Sequence, residues 1–327
     1  MDSITQAVLG VAVAHIGFAQ NTDKVKTVLF GAIVATLPDL DIYIAKFLND
    51  PLTEVEIHRG LSHSILFFLV LSLLISFLFR SFFKKISFKR LYLTTFFILL
   101  THSLLDVFTT WGTQLLWWYP EKFALKSIFV VDVFYTIPLL IGVICGLKNQ
   151  KVRSTVIGLS ISSLYLVWGL IIQNVIKNEV KQQFSAQFNT EMNQITVKPT
   201  FLNSILWNVI IQTNDGFYLS DRSIFDKESM EFQFFSHQHE LINPIKSDPN
   251  IQRLLAISEE QYIITENDKG LVFNDLRFGL LKNDPTDVQF AFSYQLIPTN
   301  DGYTIEELPK DRRDGKQLLV NLWNRIF

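Results

Sequence analysis

Cysteine is nearly absent from this sequence, since the 327 residues include only Cys145, which lies in an apolar run. One cysteine cannot form an internal disulfide or a site built from several thiolates, and apolar surroundings do not favour a catalytic thiol. No arginine- and lysine-rich face of the kind that binds nucleic acid is indicated. The formal net charge of −2 is too small to indicate a strongly acidic or basic partner.

Charged residues are scarce in the first half of the chain. Residues 1–176 contain 14 Lys and Arg and 10 Asp and Glu, whereas the shorter stretch 177–327 contains 15 and 21. Such a division is typical of a membrane-embedded region joined to a soluble one. We predict a membrane domain over 1–176, a helical linker over 177–198 and a soluble domain over 199–327.

The first domain contains six apolar segments. They cover approximately residues 4–19, 27–38, 61–79, 91–108, 127–147 and 154–176. A helix needs about 20 residues to cross the hydrocarbon core, and the third, fifth and sixth segments satisfy this length while the fourth nearly does. The first two fit tilted or re-entrant helices surrounded by protein. The sequence therefore predicts a polytopic α-helical membrane domain of about six helices.

Basic residues in the connecting loops predict the orientation, because short loops rich in Lys and Arg remain in the cytoplasm. The loop after the third segment carries five of them and no acid: Arg80, Lys84, Lys85, Lys89 and Arg90. The loops after the first and fifth segments are basic as well. We therefore expect loops 39–60 and 109–126, and the whole C-terminal domain, on the extracytoplasmic side.

The C-terminal domain shows the patterns of an α+β fold with a mainly antiparallel sheet. Two β-like runs, 205–211 and 216–219, flank the turn sequence Asn214-Asp215-Gly216, which is a strong hairpin signal. Asp248-Pro249 is typical of a helix start. The last stretch, 316–327, is amphipathic and fits packing on the sheet or on the membrane surface.

Ionisable residues of the membrane domain fall at the predicted extracytoplasmic ends of its segments. A charge at the centre of a membrane helix costs about 3 kcal/mol, so such residues usually mark a site. His102 and Asp106 are four residues apart, which places an imidazole and a carboxylate on one helix face. The candidate metal ligands are three histidines and three aspartates: Asp39, Asp41, His58, His63, His102 and Asp106.

This ligand set suits zinc and also manganese, so we predict one or two divalent ions, most simply zinc. Two ions about 3.5–4 Å apart, bridged by a carboxylate, would clamp a phosphoester and ionise water near neutral pH. Arg59 could bind a phosphate oxygen. Asp39, Asp41 and Arg59 are therefore the candidate catalytic residues.

Each candidate has a simpler alternative. Asp39 and Asp41 could cap a loop, and the pair on the fourth segment could form a hydrogen bond that only fixes packing. Asp132 fits a partner that orients a histidine, an ion pair with Lys126 or a helix cap. His237 and His239 have strand spacing that puts both rings on one face, but the sequence offers them no clear third ligand.

Four ordered motifs carry a family resemblance. They are Asp2-Ser3-Ile4-Thr5-Gln6 with Gly10, Pro38-Asp39-Leu40-Asp41, His58-Arg59-Gly60-Leu61-Ser62-His63-Ser64, and Thr101-His102-Ser103-Leu104-Leu105-Asp106 followed by Phe108 to Gln114. These motifs resemble those of the bacterial inner-membrane metal-dependent hydrolases of the YdjM-like family, over residues 1 to about 140. The resemblance implies a multi-pass protein of the bacterial inner membrane with hydrolase activity.

The ligand order also resembles, more remotely, that of zinc-dependent phospholipase C. That resemblance implies that Asp39 or Asp41 bridges metals, that His63 binds one ion, and that His102 and Asp106 bind from the fourth segment. We expect a membrane-bound hydrolase that cleaves a phosphoester of a lipid or lipid-linked substrate at the extracytoplasmic face. The alternative is a non-catalytic membrane anchor whose structural metal helps present the C-terminal domain to a partner.

Overall fold

The computed structural model describes residues 1–19, 22–47, 50–284, 287–309 and 315–327. They form two compact units, and the chain passes between them more than once. The first unit comprises Met1–Phe47, Ile57–Gln173 and Pro199–Ser204. The second comprises Leu48–Glu56, Asn174–Lys198 and Ile205–Phe327.

The N-terminal region is helical. Its helices in chain order are α1 (Ser3–Phe18), α2 (Lys24–Thr36), α3 (Asp41–Lys46), α4 (Pro51–Ile57), α5 (Ile65–Phe79), α6 (Phe88–Val107), α7 (Val133–Asn149) and α8 (Val152–Gln187). Two short 3₁₀ turns, Pro38–Leu40 and Leu61–His63, precede α3 and α5. Asp132 caps α7, because its carboxylate accepts hydrogen bonds from the backbone N–H groups of Phe134 and Tyr135.

Two of the described helices, α6 and α8, are long and apolar enough to cross a membrane. A third candidate span is the stretch Leu52–His63 continued by Ile65–Phe79, with a bend of 66° at the break. Helices α1 and α7 are apolar but shorter. Large apolar side chains such as Phe77 on α5 and Leu164 on α8 are exposed, as on a surface that faces lipid. The predicted helical membrane region is therefore present, with two to three candidate spans among the described residues.

Helices α1 and α2 pack closely because glycine faces glycine at their contact. A Cβ atom added to Gly10 would lie 2.3 Å from both the Cβ of Ala35 and the carbonyl oxygen of Gly31. A Cβ atom on Gly31 would lie 2.7 Å from the carbonyl oxygen of Gly10. These backbones can approach so closely only without side chains. The contact places the last turn of α2, with Ala35, beside the middle of the helical core.

The C-terminal region contains two four-stranded antiparallel sheets with short helices between and after them. Its elements are β1 (Gln194–Pro199), β2 (Leu206–Gln212), β3 (Gly216–Ser223), β4 (Gln233–Ser236), α9 (His239–Ile242), α10 (Pro249–Ile257), β5 (Tyr262–Asn267), β6 (Gly270–Asp284), β7 (Asp287–Thr299), β8 (Gly302–Glu307) and α11 (Gly315–Ile326). The strand orders are β1-β2-β3-β4 and β5-β6-β7-β8. The predicted hairpin is confirmed as β2 and β3, in which Ile210 pairs with Leu219. The predicted helix start is confirmed as well, since Asp248 caps α10.

Helix α4 belongs to the second unit although it interrupts the first in sequence. Leu52 is 1% exposed and packs in a core that includes Ile251 and Leu254 of α10. The guanidinium group of Arg253 donates to both carboxylate oxygens of Glu56 at 2.8 Å. These contacts hold α4, which ends one residue before His58.

We expect a Leu52→Ala substitution to release α4 from the second unit, because truncating a buried leucine costs about 2–5 kcal/mol. Hydrogen exchange of the amides of residues 50–57 should then become faster. Ile57→Ala is the matched control, since Ile57 is an exposed apolar residue of the same helix. Equal exchange in the two variants would contradict the role given to Leu52.

Candidate metal centre

Four ionisable side chains converge in the first unit. Asp39 lies in the 3₁₀ turn after α2, and His63 ends the 3₁₀ turn before α5. His102 and Asp106 lie one turn apart near the end of α6. The side chains of His63, His102 and Asp106 are fully buried, whereas that of Asp39 is 16% exposed. Each of them offers one ligand atom, and these four atoms all lie within 4.8 Å of one another.

Five of the distances between the four atoms lie near the edge length of a metal coordination tetrahedron. The Nε2 atoms of His63 and His102 are 3.2 Å apart, and each lies 3.4 Å from Oδ1 of Asp39. Oδ2 of Asp106 lies 3.5 Å from Nε2 of His102 and 3.8 Å from Nε2 of His63. A tetrahedron whose corners lie about 2.0–2.1 Å from its centre has edges of about 3.3–3.4 Å. The residues present therefore fit a small tetrahedral ion such as zinc.

Hydrogen bonds to the outer ring nitrogens direct a lone pair of each histidine into the cluster. Nδ1 of His102 lies 2.6 Å from the carbonyl oxygen of Ala35, which can only accept, so Nδ1 carries the proton. Nδ1 of His63 lies 2.9 Å from Oγ of Ser62, whose hydroxyl donates to Asp41 at 2.6 Å. The Ser62 oxygen therefore accepts from His63. Both Nε2 atoms are then acceptors, as a metal ligand must be.

The two carboxylate atoms of the cluster are acceptors without donors. Oδ1 of Asp39 and Oδ2 of Asp106 are buried and have no hydrogen-bond partner, although the Arg59 guanidinium lies 3.3 Å from the latter. Four acceptors at such distances repel one another, and burying unsatisfied polar atoms is costly. A proton on one imidazole nitrogen would give a hydrogen bond to only part of the cluster. A cation at the centre of the cluster would interact favourably with all four acceptor atoms.

Asp106 is held by several groups, one of which, the α-amino group of Met1, was not identified from sequence patterns. Its Oδ1 receives the α-amino group of Met1 in an ion pair and a hydrogen bond of 3.0 Å from Nε2 of Gln6. Gln6 also donates to the carbonyl oxygen of His102 at 3.2 Å. Nε of Arg59 lies 3.3 Å from Oδ2 of Asp106. Nothing in the local sequence signals the Met1 contact, because its partner is 105 residues away.

Asp41 and His58 lie next to the four-atom cluster and contact it through hydrogen bonds. Oδ1 of Asp41 lies 2.9 Å from Nδ1 of His58, while Oδ2 accepts from Ser62 and from the backbone N–H of Arg59. Oδ2 also lies 3.4 Å from Nδ1 of His63. Burial alone would raise the pKa of the Asp41 carboxyl, but hydrogen bonds from His58, His63 and Ser62 hold it well below its usual range. The structure places Asp41 as an orienting partner of two histidines, and the ligand roles of Asp41 and His58 stay predictions.

Arg59 is buried in a left-handed backbone conformation, with φ of 62°. Such a conformation is uncommon outside glycine and costs about 1–3 kcal/mol unless its surroundings stabilise it. Here Asp41 accepts from the N–H of Arg59, and the Arg59 carbonyl accepts from the backbone N–H of Gln114 at 2.9 Å. Nη1 of Arg59 donates to Thr109 at 2.7 Å. The loop therefore holds a guanidinium group directly beside Asp106.

The remaining sequence candidates lie outside this cluster. The rings of His237 and His239 stack with centroids 4.2 Å apart, and among the described residues no third ligand groups with them. Asp132 accepts a hydrogen bond from the Tyr165 hydroxyl at 3.0 Å in addition to capping α7. In the structure, Asp132 therefore caps α7 and lies outside the metal cluster.

We expect Asp41→Asn to weaken zinc binding about 10- to 100-fold, the effect typical of removing a partner that orients a metal ligand. The amide cannot provide the charge that faces the Nδ1 atoms of His58 and His63. Isothermal titration with zinc would measure the change. Ser62→Ala is the matched control, because it removes one neutral group from the same side of His63 and should have a smaller effect. Unchanged affinity in Asp41→Asn would contradict the orienting role.

Comparison with known proteins gives one family model and two relatives. The family model described as YdjM inner membrane protein matches residues 1–176. The inner membrane protein YbcI of Escherichia coli (strain K12) is 34% identical over 123 residues, which are 37% of this chain and 69% of YbcI. The uncharacterized protein YfhP of Bacillus subtilis (strain 168) is 25% identical over 271 residues, which are 79% of this chain and 80% of YfhP. No solved structure matches the chain.

Proposed function

The chain belongs to the YdjM inner membrane protein family, and we propose that it is a membrane-bound metal-dependent hydrolase that cleaves a phosphoester. The observation that carries the proposal is the convergence of four buried acceptor atoms from Asp39, His63, His102 and Asp106. Their distances and lone pairs fit one divalent ion. Two imidazoles and two carboxylates favour zinc, and manganese is the alternative.

The chain's own residues would provide positioning and charge. A bound divalent ion would supply Lewis acidity and a water that ionises near neutral pH. Arg59 would favour an anionic phosphoester at the cluster, because its buried guanidinium lies beside Asp106. The pair Asp41 and His58 would accept a proton on the more exposed side of the site, where the His58 side chain is 13% exposed. Should a second ion bind, the same pair would be its ligands.

The proposed substrate is a lipid or a lipid-linked phosphoester, reached from the extracytoplasmic face. The cluster lies at the start of α5 and the end of α6, whereas the basic loop 80–90 connects the opposite ends of these two helices. If that loop is cytoplasmic, the site faces outward. Exposed aromatic residues of the loop after α6, Trp117 and Trp118, suit the interfacial layer of a bilayer. In this proposal, about six helices lie in the membrane, including the shorter α1 and α7.

A second candidate function is a non-catalytic anchor with a structural metal. It is favoured by one observation, namely that four protein ligands in a buried cluster complete a tetrahedral shell. Structural zinc sites are closed in this way, whereas catalytic sites keep an open position. An enzyme would need a fifth position or the displacement of Asp39, which is the most exposed of the four. The anchor would present the C-terminal unit to a protein partner.

The deciding experiment combines metal content with activity on a defined phosphoester. The detergent-purified chain should contain one or two equivalents of zinc or manganese by mass spectrometry. It should also hydrolyse bis(p-nitrophenyl) phosphate or phosphatidylglycerol vesicles. Arg59→Lys should keep the metal but lose most of the hydrolysis, because a point charge replaces the planar guanidinium. Metal without hydrolysis of any phosphoester would favour the anchor, and absence of metal after reconstitution with zinc would overturn both functions.

A further inference from the structure

The C-terminal helix α11 presents an exposed apolar face. Trp323 is 64% exposed and Phe327 is 69% exposed, although both are large and apolar. The two residues that follow β3 add two further exposed side chains to this surface. We call the whole surface the α11 patch, and it consists of Ile224, Phe225, Leu319, Val320, Trp323 and Phe327. Contiguous apolar surfaces of this kind mark contact with a partner or a membrane.

The patch is rigid because its aromatic rings pack on one another. The ring centroids of Trp323 and Phe327 are 4.6 Å apart, and those of Phe225 and Phe327 stack at 5.3 Å. The other side of α11 is held by polar contacts with the strand end. Ser223 donates to the carbonyl oxygen of Ile326 at 2.8 Å, and Arg325 donates to both carboxylate oxygens of Asp226 at 3.1 and 3.0 Å. The polar groups of the helix end therefore face the protein, while the rings face away.

A chain of contacts within the second unit connects the patch to the end of a membrane span. Arg222, next to Ser223 in β3, forms an ion pair with Glu179 of α8. Glu179 follows Ile176, the last residue of the apolar segment of α8, by three residues, or about 4.5 Å along a helix. Helix α8 is continuous from Val152 to Gln187 and is one of the two long candidate spans. The end of β3, which contacts α11, is thus attached to α8 close to the end of the apolar segment of this helix.

We propose that the α11 patch inserts into the interfacial layer of the same bilayer that α8 crosses. Tryptophan and phenylalanine are the side chains that suit this layer, and α11 contains Lys316 and Arg325 but no acidic residue, so anionic headgroups do not repel it. Burying apolar surface is worth about 25 cal/mol per Å², which favours insertion over exposure to water. The proposal is independent of the metal centre. It means that α11 packs on the sheet with one side and on lipid with the other.

Depth-dependent fluorescence quenching tests the proposal on the full chain. Because Cys145 is the one cysteine, a Cys145→Ser background allows a single label at Trp323→Cys. An NBD fluorophore is attached there, and the protein is reconstituted into nanodiscs of phosphatidylethanolamine and phosphatidylglycerol that carry bromine at shallow or deep acyl positions. We expect shallow bromolipids to quench most of the emission at position 323. Asn321→Cys, on the opposite side of α11, is the matched control and should be quenched little.

One further label and one double variant make each outcome decisive. Leu164→Cys, exposed near the middle of the apolar segment of α8, is a positive control that deep bromolipids should quench, which shows that the protein is inserted. Equal and weak quenching at 323 and 321, with normal quenching at 164, would overturn the proposal. Disulfide cross-linking between two copies through Cys at 323, without lipid quenching, would overturn it in favour of a second copy of the chain. A Trp323→Glu, Phe327→Glu double variant should leave metal content unchanged while exchange of the α11 amides becomes faster.

Discussion

A His102→Ala protein is expected to lose its zinc at concentrations where the unchanged protein is saturated. The substitution removes one of four ligands, and structural zinc sites bind with about 10–16 kcal/mol in total, so one ligand accounts for roughly 3 kcal/mol or a hundredfold in affinity. The loss should exceed that of Asp41→Asn, which leaves the four-atom cluster intact. Competition with a chromophoric chelator measures the affinity, and mass spectrometry measures the metal content.

His15→Ala provides the matched control for this prediction. His15 is a buried histidine of the same unit, but its Nδ1 lies 2.8 Å from the Thr155 hydroxyl, away from the cluster. Its loss should leave zinc content and affinity unchanged. Retention of the metal in both variants would show that His102 is not a ligand. Loss in both would indicate that the substitutions act through folding.

Asp106→Ala is expected to destabilise even the metal-free protein by about 3–5 kcal/mol, because removing one partner of a buried ion pair leaves the other charge uncompensated. Asp106 is fully buried and faces the guanidinium group of Arg59 and the α-amino group of Met1. Without the carboxylate, the Arg59 guanidinium remains buried with no opposite charge beside it. Thermal and denaturant unfolding in detergent, after chelation and with tryptophan fluorescence as the signal, would measure the loss.

Asp39→Ala separates this effect from metal binding. Asp39 contributes to the same four-atom cluster, but its neighbours there are His63 and His102 rather than a permanently charged guanidinium group. Its removal should lower zinc affinity as much as His102→Ala does, yet change the stability of the metal-free protein little, since it also relieves repulsion between acceptors. Equal destabilisation by Asp39→Ala and Asp106→Ala would contradict the assignment of Asp106 as the partner of the buried Arg59 guanidinium.

Much of the local structure was predictable because its causes are local. The apolar run of α6 with His102 and Asp106 four residues apart predicted one helix face, and the structure has both on α6. Alternation around Asn214-Asp215-Gly216 predicted the hairpin of β2 and β3. The candidate ligands were recognisable because ionisable residues are costly in apolar segments.

What the sequence by itself determined is therefore the helical and antiparallel elements and the residue types of a metal site. The tertiary structure alone decided which atoms meet. Packing at Gly10 and Gly31 places α2, so that the Ala35 carbonyl orients His102 from 67 residues away. Asp41 became a partner of two histidines, and α4 became part of the second unit, through contacts with residues distant in the chain. The spacing of residue types along the sequence shows only which residues share a face of one helix or strand. These contacts depend instead on how whole helices pack against one another.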